Sequence, residues 1–178
     1  MTREILLSRL STYVPFDAHE AAMLERLRCF VAEYPNCFER SLLIGHVTAS
    51  AWIWDLERRH VLLTHHGKLD KWLQLGGHAD GDPDVLRVAL REAQEESGLE
   101  GIRPVSEEIF DVDVHPIPAR GSEPEHFHYD VRFLLEADRS EVLQITSESK
   151  ALAWVEVERI RELTSEDSIL RMLAKAQR

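Results

Sequence analysis

Three glutamates crowded on one side of a predicted helix constrain this chain more than any other feature. Apolar residues recur at helical spacing between Val85 and Ala93, which predicts an amphipathic helix. Glu92 and Glu96 are i,i+4 neighbours and Glu95 lies three positions after Glu92, so the three carboxylates share one side. Like charges at this spacing destabilise a helix by about 0.2–0.5 kcal/mol per pair. Because hard divalent cations prefer oxygen ligands, the pattern predicts a metal site near the end of this helix.

The sequence also marks both ends of the helix. We expect Asp82 to be the N-cap and Pro83 the first helical residue, because proline at that place loses no hydrogen bond. Gly98 follows the last glutamate closely and is the expected end of the helix.

The segment 76–99 resembles the signature box of the Nudix hydrolases. The positions that match at the family's spacing are Gly77, Arg91, Glu92, Ala93, Glu95, Glu96, Gly98 and Leu99. One position departs from the box, because Pro83 stands where the family has an isolated glutamate. Asp80, Asp82 and Asp84 surround it and are candidates for the missing carboxylate. A solvated charged helix is the alternative explanation of the glutamates. It does not explain why they follow the glycine pair, Gly76 and Gly77, at the spacing of the box.

The resemblance implies a metal-dependent hydrolase that cleaves a diphosphate linkage. It assigns Mg²⁺ or Mn²⁺ to Glu92, Glu95 and Glu96, and adds the backbone carbonyl of Gly77 as a further ligand. Mg²⁺ suits this chemistry because it neutralises phosphoryl oxygens and helps to deprotonate water near neutral pH. Arg91 is implied to orient a box carboxylate by pairing with it, and its partner is open because the isolated glutamate is missing.

The resemblance leaves two locations for the general base. In some relatives it is a glutamate of the box, here Glu92 or Glu95, and in others it is a glutamate on a loop before the last strand. Glu148 has the second placement, because it precedes the predicted strand that begins at Ala151. A solvated loop glutamate is the alternative interpretation of Glu148.

Two neighbouring predicted strands place acidic and imidazole side chains at alternate positions. These residues are Asp111, Asp113 and His115 on the first strand and His126, His128 and Asp130 on the second. Alternate residues of a strand face the same side, so each set shares a face. That face is either a polar pocket, where His126, His128 and Asp130 contact the substrate or hold a second metal, or a solvent-exposed side of the sheet. His46 stands alone in the sequence and gives no functional signal.

Two lysines lie in a polar loop before the glycine pair. Lys68 and Lys71 are candidates for contacts with substrate phosphates, as flexible point charges. Solvated lysines are the alternative interpretation of this loop.

The pattern of apolar residues predicts an α/β fold. Strands are expected at 47–54, 60–65, 72–75, 109–114, 126–135 and 151–157, with a helical turn at 158–163 and a closing helix at 167–176. Strands flanked by helices over one core imply an α/β/α sandwich. The Nudix resemblance covers roughly residues 43–165 and implies the same architecture with a mixed sheet. We expect one Nudix domain at 39–178, preceded by an N-terminal helical extension at 1–38.

The N-terminal extension lies outside the resemblance. Asp17 and Glu20 have the spacing of a capping box at the start of its second helix. Three roles are open for the extension: covering one end of the core, pairing with a second subunit in a homodimer, or lying near the substrate. We favour the first.

Charge and composition narrow the partners of this chain. A net charge of −11 argues against binding of a nucleic-acid polymer, whereas bound metal ions would allow a small polyanionic substrate. No apolar run approaches the length of a membrane span, and the first residues do not form a signal peptide. We therefore expect a cytoplasmic protein with no membrane partner.

We predict metal-dependent hydrolysis of a diphosphate linkage in a nucleoside-diphosphate-linked small molecule. Two alternatives are open. A non-catalytic Nudix-like domain that binds a nucleotide metabolite would explain the missing glutamate. An isomerase of the isopentenyl diphosphate type shares the fold but depends on a catalytic cysteine, and Cys29 and Cys37 both precede the first predicted strand, which disfavours it.

Overall fold

A mixed sheet forms the centre of the protein. The computed structural model describes residues 3–67, 69–121, 123–146 and 149–178, and within them the sheet has eight strands. The strands are β1 (Gly45–Asp55), β2 (His60–His66), β3 (Trp72–Leu73), β4 (Leu75–His78), β5 (Arg103–Pro104), β6 (Asp111–Ile117), β7 (His126–Ala137) and β8 (Ser149–Glu156). The strand expected at 72–75 is divided into β3 and β4. The sequence did not predict β5, because a pair of residues is too short to show alternation.

One parallel pair organises the sheet. β1 and β7 pair in parallel from Gly45↔Phe127 to Asp55↔Ala137. The remaining pairs are antiparallel: β4 and β2 lie along β1, β5 and β6 along β7, and β3 and β8 along β2. The predicted mixed sheet is confirmed.

Helices cover both faces of this sheet. They are α1 (Arg3–Thr12), α2 (Ala18–Glu33), α3 (Val85–Ser97), α4 (Ile160–Leu163) and α5 (Asp167–Ala176), and a short 3₁₀ turn, Val157–Arg159, leads into α4. In the described ranges, no helix has both the length and the apolar character that crossing a bilayer would require.

Alternate side chains of β1 point into two separate hydrophobic cores. Val47, Ala49 and Ala51 are buried in the same cluster as the apolar side of α3. Trp52 and Trp54 belong to a second cluster, which includes the apolar residues of α5. Because odd and even residues of a strand face opposite sides, α3 and α5 lie on opposite faces of the sheet. The α/β/α sandwich is therefore confirmed.

The N-terminal helices pack on the α3 side of the sheet. Leu6 of α1 and Leu27 of α2 are fully buried in the cluster that contains the apolar residues of α3. The ring of Phe30 stacks on Tyr129 of β7, with 3.7 Å between ring centroids. The extension thus covers part of the core, which is the role favoured from the sequence.

Helix α3 begins later than the sequence suggested. Its N-cap is Asp84, whose Oδ1 accepts a hydrogen bond from the Arg87 backbone N–H at 3.3 Å, and Pro83 lies before the helix. The prediction of Asp82 as N-cap was wrong because the Asp82 carboxylate instead accepts hydrogen bonds from the Arg87 guanidinium at 2.6 and 2.8 Å. Gly98 ends the helix as predicted, in the left-handed region at φ 72°.

Candidate active site

The glycine pair lets α3, the helix that carries the box residues, approach the backbone of β4. A Cβ atom on Gly77 would lie 2.2 Å from Oε2 of Glu92, so no larger residue fits there without moving this carboxylate. The Gly76 backbone N–H donates to Oε2 of Glu96 at 3.3 Å. Two of the three box carboxylates are therefore held against β4.

Arg91 connects the box helix to β4. Its Nη2 donates to Oε1 of Glu92 at 2.7 Å and to the backbone carbonyl of His78 at 2.9 Å. The partner of Arg91, which the sequence left open, is therefore Glu92. A single guanidinium fixes the carboxylate and the strand end together.

The three box glutamates have different environments. The Glu92 side chain is 17% exposed, whereas that of Glu95 is 64% exposed and lies 4.0 Å from Nε of Arg91. Burial raises the pKa of Glu92, and the hydrogen bond and charge of Arg91 oppose this effect. Glu92 and Glu96 form the inner part of the candidate site, and Glu95 lies at its exposed side.

The opposite side of the sheet carries a buried polar row. Asp130 of β7 is 3% exposed, and its carboxylate accepts hydrogen bonds from Thr48 at 3.0 Å and from Ser50 at 2.7 Å. Arg132 donates to the same carboxylate at 2.7 Å. The interpretation of this face as solvent-exposed is wrong for Asp111, Asp113 and Asp130, which are at most 8% exposed, whereas His115 and His126 are only partly buried.

A charge network joins this row to α5. Arg132 donates to Asp111 and Asp113 of β6, both at 3.2 Å. Arg171 of α5 donates to both oxygens of Asp111 at 2.8 Å. Burial alone would raise the pKa of Asp111, but the hydrogen bond from Arg171 and the charges of Arg132 and Lys175 hold it below its usual value. Asp111 and Asp113, the acidic residues predicted on this strand, therefore form buried ion pairs.

Three histidines from three strands meet beside this network. His46 of β1 is the register partner of His128 on β7, and His78 of β4 pairs with Thr48, two residues further along β1. Ring nitrogens of His46, His78 and His128 all lie within 4.8 Å of one another. Burial lowers the pKa of His46 and of His78 to about 4, and the nearby cationic side chains and rings add to the effect.

Comparison with known proteins identifies the family. The sequence matches the NUDIX domain over residues 45–175. The chain belongs to the Nudix family. No match to a curated protein was found.

Solved structures share the fold of this Nudix domain. An Ap4A hydrolase from C. elegans, in a binary complex, has a TM-score of 0.59 at 20% identity, covering 74% of this chain and 94% of that chain. A dihydroneopterin triphosphate pyrophosphohydrolase from E. coli has a TM-score of 0.58 at 16% identity, covering 72% and 92%. A NUDIX-family hydrolase from Clostridium perfringens has a TM-score of 0.54 at 23% identity, covering 74% and 96%.

The aspartates around Pro83 have partners other than Arg91. Asp80 pairs with Arg40 at 2.6 Å, Asp82 pairs with Arg87, and Asp84 caps α3. Among the described residues, none of the three forms a hydrogen bond or ion pair with Arg91. In this Nudix domain the loop before the helix is held by its own ion pairs.

The remaining predicted residues differ in what the structure shows of them. Lys71 forms an ion pair with Glu166 at 2.8 Å. Lys68 and Glu148 lie outside the described residues. His126 lies on the polar side of β7, where its Nδ1 is 2.9 Å from the Pro124 carbonyl oxygen.

Sequence reasoning missed His46 and His78 as members of a cluster. Two Gly-His pairs, at 45–46 and 77–78, are the only local signal for them. The rings come together because β4 and β7 both pair with β1, a relation that residue spacing does not reveal.

Proposed function

We propose that this Nudix protein is a Mg²⁺- or Mn²⁺-dependent hydrolase that cleaves a diphosphate linkage in a nucleoside-diphosphate-linked small molecule. The observation that supports this most is the approach of Glu92 and Glu96 to the glycine pair of β4. Two solved structures with the same fold carry the names of an Ap4A hydrolase and of a dihydroneopterin triphosphate pyrophosphohydrolase, which fits this substrate class.

The donor set of the box fits a hard divalent cation. Glu92 and Glu96 are held against β4, which contributes the carbonyl of Gly77 as a further candidate ligand, and Glu95 adds a carboxylate at the exposed side. When bound, the cation supplies charge neutralisation at the phosphoryl oxygens and a more acidic water. A Cβ atom at residue 77 would occupy the place of the Glu92 carboxylate, which explains the requirement for glycine.

The side chains of this protein supply orientation and proton transfer. Arg91 holds the Glu92 carboxylate against β4 through its bond to the His78 carbonyl. Glu148 is our first choice for the general base, with Glu92 and Glu95 as the alternatives within the box. Burial raises the pKa of Glu92, which makes its carboxylate a stronger base than a carboxylate of ordinary pKa.

The substrate contacts in this proposal come from two places. Lys68 and Lys71 precede the box and are expected to meet substrate phosphates, and Lys71 must leave Glu166 to do so. His126 and His128 are proposed to contact the substrate, whereas Asp130, which the sequence also suggested for this role, is 3% exposed and its carboxylate is engaged by Thr48, Ser50 and Arg132. The cytoplasmic location and the homodimer stay predictions from the sequence.

A binding domain without turnover is the second candidate. It is favoured by one observation: the aspartates that surround Pro83 are engaged elsewhere, so Arg91 has lost one of the partners usual in the box. Such a domain would bind a nucleotide metabolite with Mg²⁺ but release no product.

A substrate panel with Mg²⁺ separates the two candidates. Nucleoside-diphosphate-linked compounds are incubated with the parent protein, Glu96→Gln and Glu100→Gln, and released phosphate or nucleoside monophosphate is measured. We expect turnover by the parent and by the exposed control Glu100→Gln, and a loss of orders of magnitude in Glu96→Gln. The melting temperature of Glu96→Gln should hold or rise, because like-charge repulsion is relieved. Binding without product in the parent would establish the second candidate, and unchanged turnover in Glu96→Gln would refute the box metal site.

A further inference from the structure

Contacts of His126 and His128 with a substrate do not explain why a group of imidazoles converges on the polar side of the sheet. The protein has nine histidines, and five of them lie together here. We propose that His46, His78 and His128 form a binding site for a transition-metal dication of the Zn²⁺ class, separate from the box. We refer to these three residues as the histidine triad.

The first argument is convergence. The ligand nitrogens of the histidine triad lie within 4.8 Å of one another, and each comes from a different strand. Among the described residues, this is the only group of three or more potential ligands that converges so closely. The box glutamates do not form such a group.

The second argument is the absence of other partners for these rings. His46 is 4% exposed, and within the described residues neither of its ring nitrogens makes a hydrogen bond of normal geometry, although the Leu42 backbone opposes the lowering of the pKa of His46. Nε2 of His128 is likewise buried without a partner. A buried polar atom without a partner has lost its hydration with nothing in return, so such atoms call for an explanation. A shared metal ion would satisfy these nitrogens together.

The two histidines beside the triad, in contrast, each have a hydrogen-bonding partner. Nδ1 of His115 lies 3.2 Å from the Asp113 carboxylate, and Nδ1 of His126 lies 2.9 Å from the Pro124 carbonyl oxygen. Both flank the triad, with ring centroids 5.6 Å from His128 and 5.1 Å from His46 respectively. Among these five clustered histidines, the buried nitrogens without a partner therefore belong to His46 and His128, both members of the triad.

The donor chemistry selects the class of metal. Imidazole nitrogen suits Zn²⁺, Co²⁺, Ni²⁺ and Cu²⁺, whereas Mg²⁺ prefers the carboxylates of the box. Three histidines leave one position of a tetrahedral site open to water or to another ligand. Zn–N distances of about 2.0–2.1 Å require nitrogens about 3.4 Å apart, so the rings turn inward on binding. Metal binding therefore ties β1, β4 and β7 together.

Cobalt titration tests the triad in a way that does not depend on hydrolysis. The metal-stripped protein is titrated with Co²⁺ in saturating Mg²⁺, which occupies the box, and visible absorption and metal content are measured. We expect a single tightly bound Co²⁺ with tetrahedral absorption, displaced by Zn²⁺, and a higher melting temperature. Absence of a tightly bound ion in the parent would overturn the proposal.

Variants then locate the ion. His78→Asn and His128→Asn should each weaken Co²⁺ binding more than the roughly 10- to 100-fold that is typical for loss of an outer partner of a metal ligand. His19→Asn, in the exposed part of α2, and Glu96→Gln, in the box, should bind Co²⁺ like the parent. Retained binding in both triad variants, or its loss in Glu96→Gln, would place the ion elsewhere and refute the triad.

Histidine-ring NMR of the parent protein covers the case of an unstable variant. Zn²⁺ should shift the ring signals of His46, His78 and His128 and leave that of His19 unchanged. Shifts confined to other histidines would overturn the proposal. Because the readout is metal binding, a failure of the hydrolase proposal leaves this test unaffected.

Discussion

Gly77 and His78 are adjacent in the chain, but as neighbours in a strand they face opposite sides of the sheet. On the Gly77 side, the missing side chain leaves room for the Glu92 carboxylate of α3. On the His78 side, the ring joins two other imidazoles beside a buried ion-pair network. Because alternate residues of β4 face opposite sides, the carboxylate oxygens of the box and the imidazole nitrogens lie on different sides of the sheet. Two sites with different metal preferences can share a strand without sharing a ligand side chain.

The two sides also differ in how charge is balanced. On the box side, Glu95 and Glu92 are like charges at helical spacing, and Arg91 lies between them. On the network side, every buried carboxylate of β6 faces a guanidinium. We therefore expect substitutions on the box side to change activity more than stability, and substitutions in the network to do the reverse.

The largest effect on activity is expected at the predicted base. Glu148→Gln should lower turnover by about 10²- to 10⁴-fold with little change in substrate affinity, because a base within reach of the attacking water typically contributes that much. Steady-state kinetics give both quantities. Glu156→Gln and Glu158→Gln are matched controls and should be nearly neutral. If all three variants are neutral, the base lies in the box, at Glu92 or Glu95.

The network should respond with a large loss of stability. Asp111→Asn removes a fully buried carboxylate that faces Arg132, Arg171 and Lys175, and breaking a buried pair costs about 3–5 kcal/mol. Urea unfolding measures the loss, and the turnover of the folded fraction should stay near that of the parent. An unfolding free energy equal to that of the parent would contradict the importance of this network.

The ion pairs of the same network predict that the free energy of unfolding falls at low pH. Ion pairing holds the pKa of Asp111 and of Asp113 below the ordinary value, despite their burial. A depressed pKa in the folded state contributes stability above the unfolded value, about 3.9, and loses it as the pH falls further. The free energy of unfolding of the parent should therefore drop below about pH 4, and Asp111→Asn should lose part of this dependence. A parallel pH profile in the two proteins would contradict the assignment.

A smaller effect on activity is expected at the glycine of β4. In Gly77→Ala the new Cβ displaces the Glu92 carboxylate, and a misplacement of about 1 Å costs roughly 10²-fold in rate. The decrease should appear in kcat, measured at saturating Mg²⁺. Gly121→Ala is the control, because a Cβ atom there meets nothing within 4 Å, although its φ of 58° adds local strain. Equal activity of Gly77→Ala and the parent would show that the close approach is not needed.

The smallest effect is expected in the loop before α3. Arg87→Ala breaks an exposed ion pair with Asp82, and such pairs contribute about 0.2–1 kcal/mol. Thermal unfolding should register at most this small change, and turnover should match the parent. A large loss of turnover would instead indicate that Asp82 takes over the role of the missing box glutamate.

The sequence by itself determined the local features of this protein. The spacing of apolar residues placed the strands and the box helix within a few residues, and Gly98 marked the end of α3. The elements and the helix end are predictable because their causes, helical spacing and the alternation of strands, act between residues that are close in the chain. The pairing of Arg91 with a box carboxylate was instead implied by the resemblance to the Nudix box.

Only the tertiary structure decided which distant residues meet. The start of α3 moved from Pro83 to Val85 because Arg87 occupies the Asp82 carboxylate. Asp111 and Asp113 lie on a face that the sequence could equally place in solvent, and they are buried because Arg132 of β7 and Arg171 of α5 pair with them. The triad of His46 and its partners depends on the register of β1 with β4 and β7. Strand register is fixed by packing across the whole sheet, so no local pattern in the sequence could reveal it.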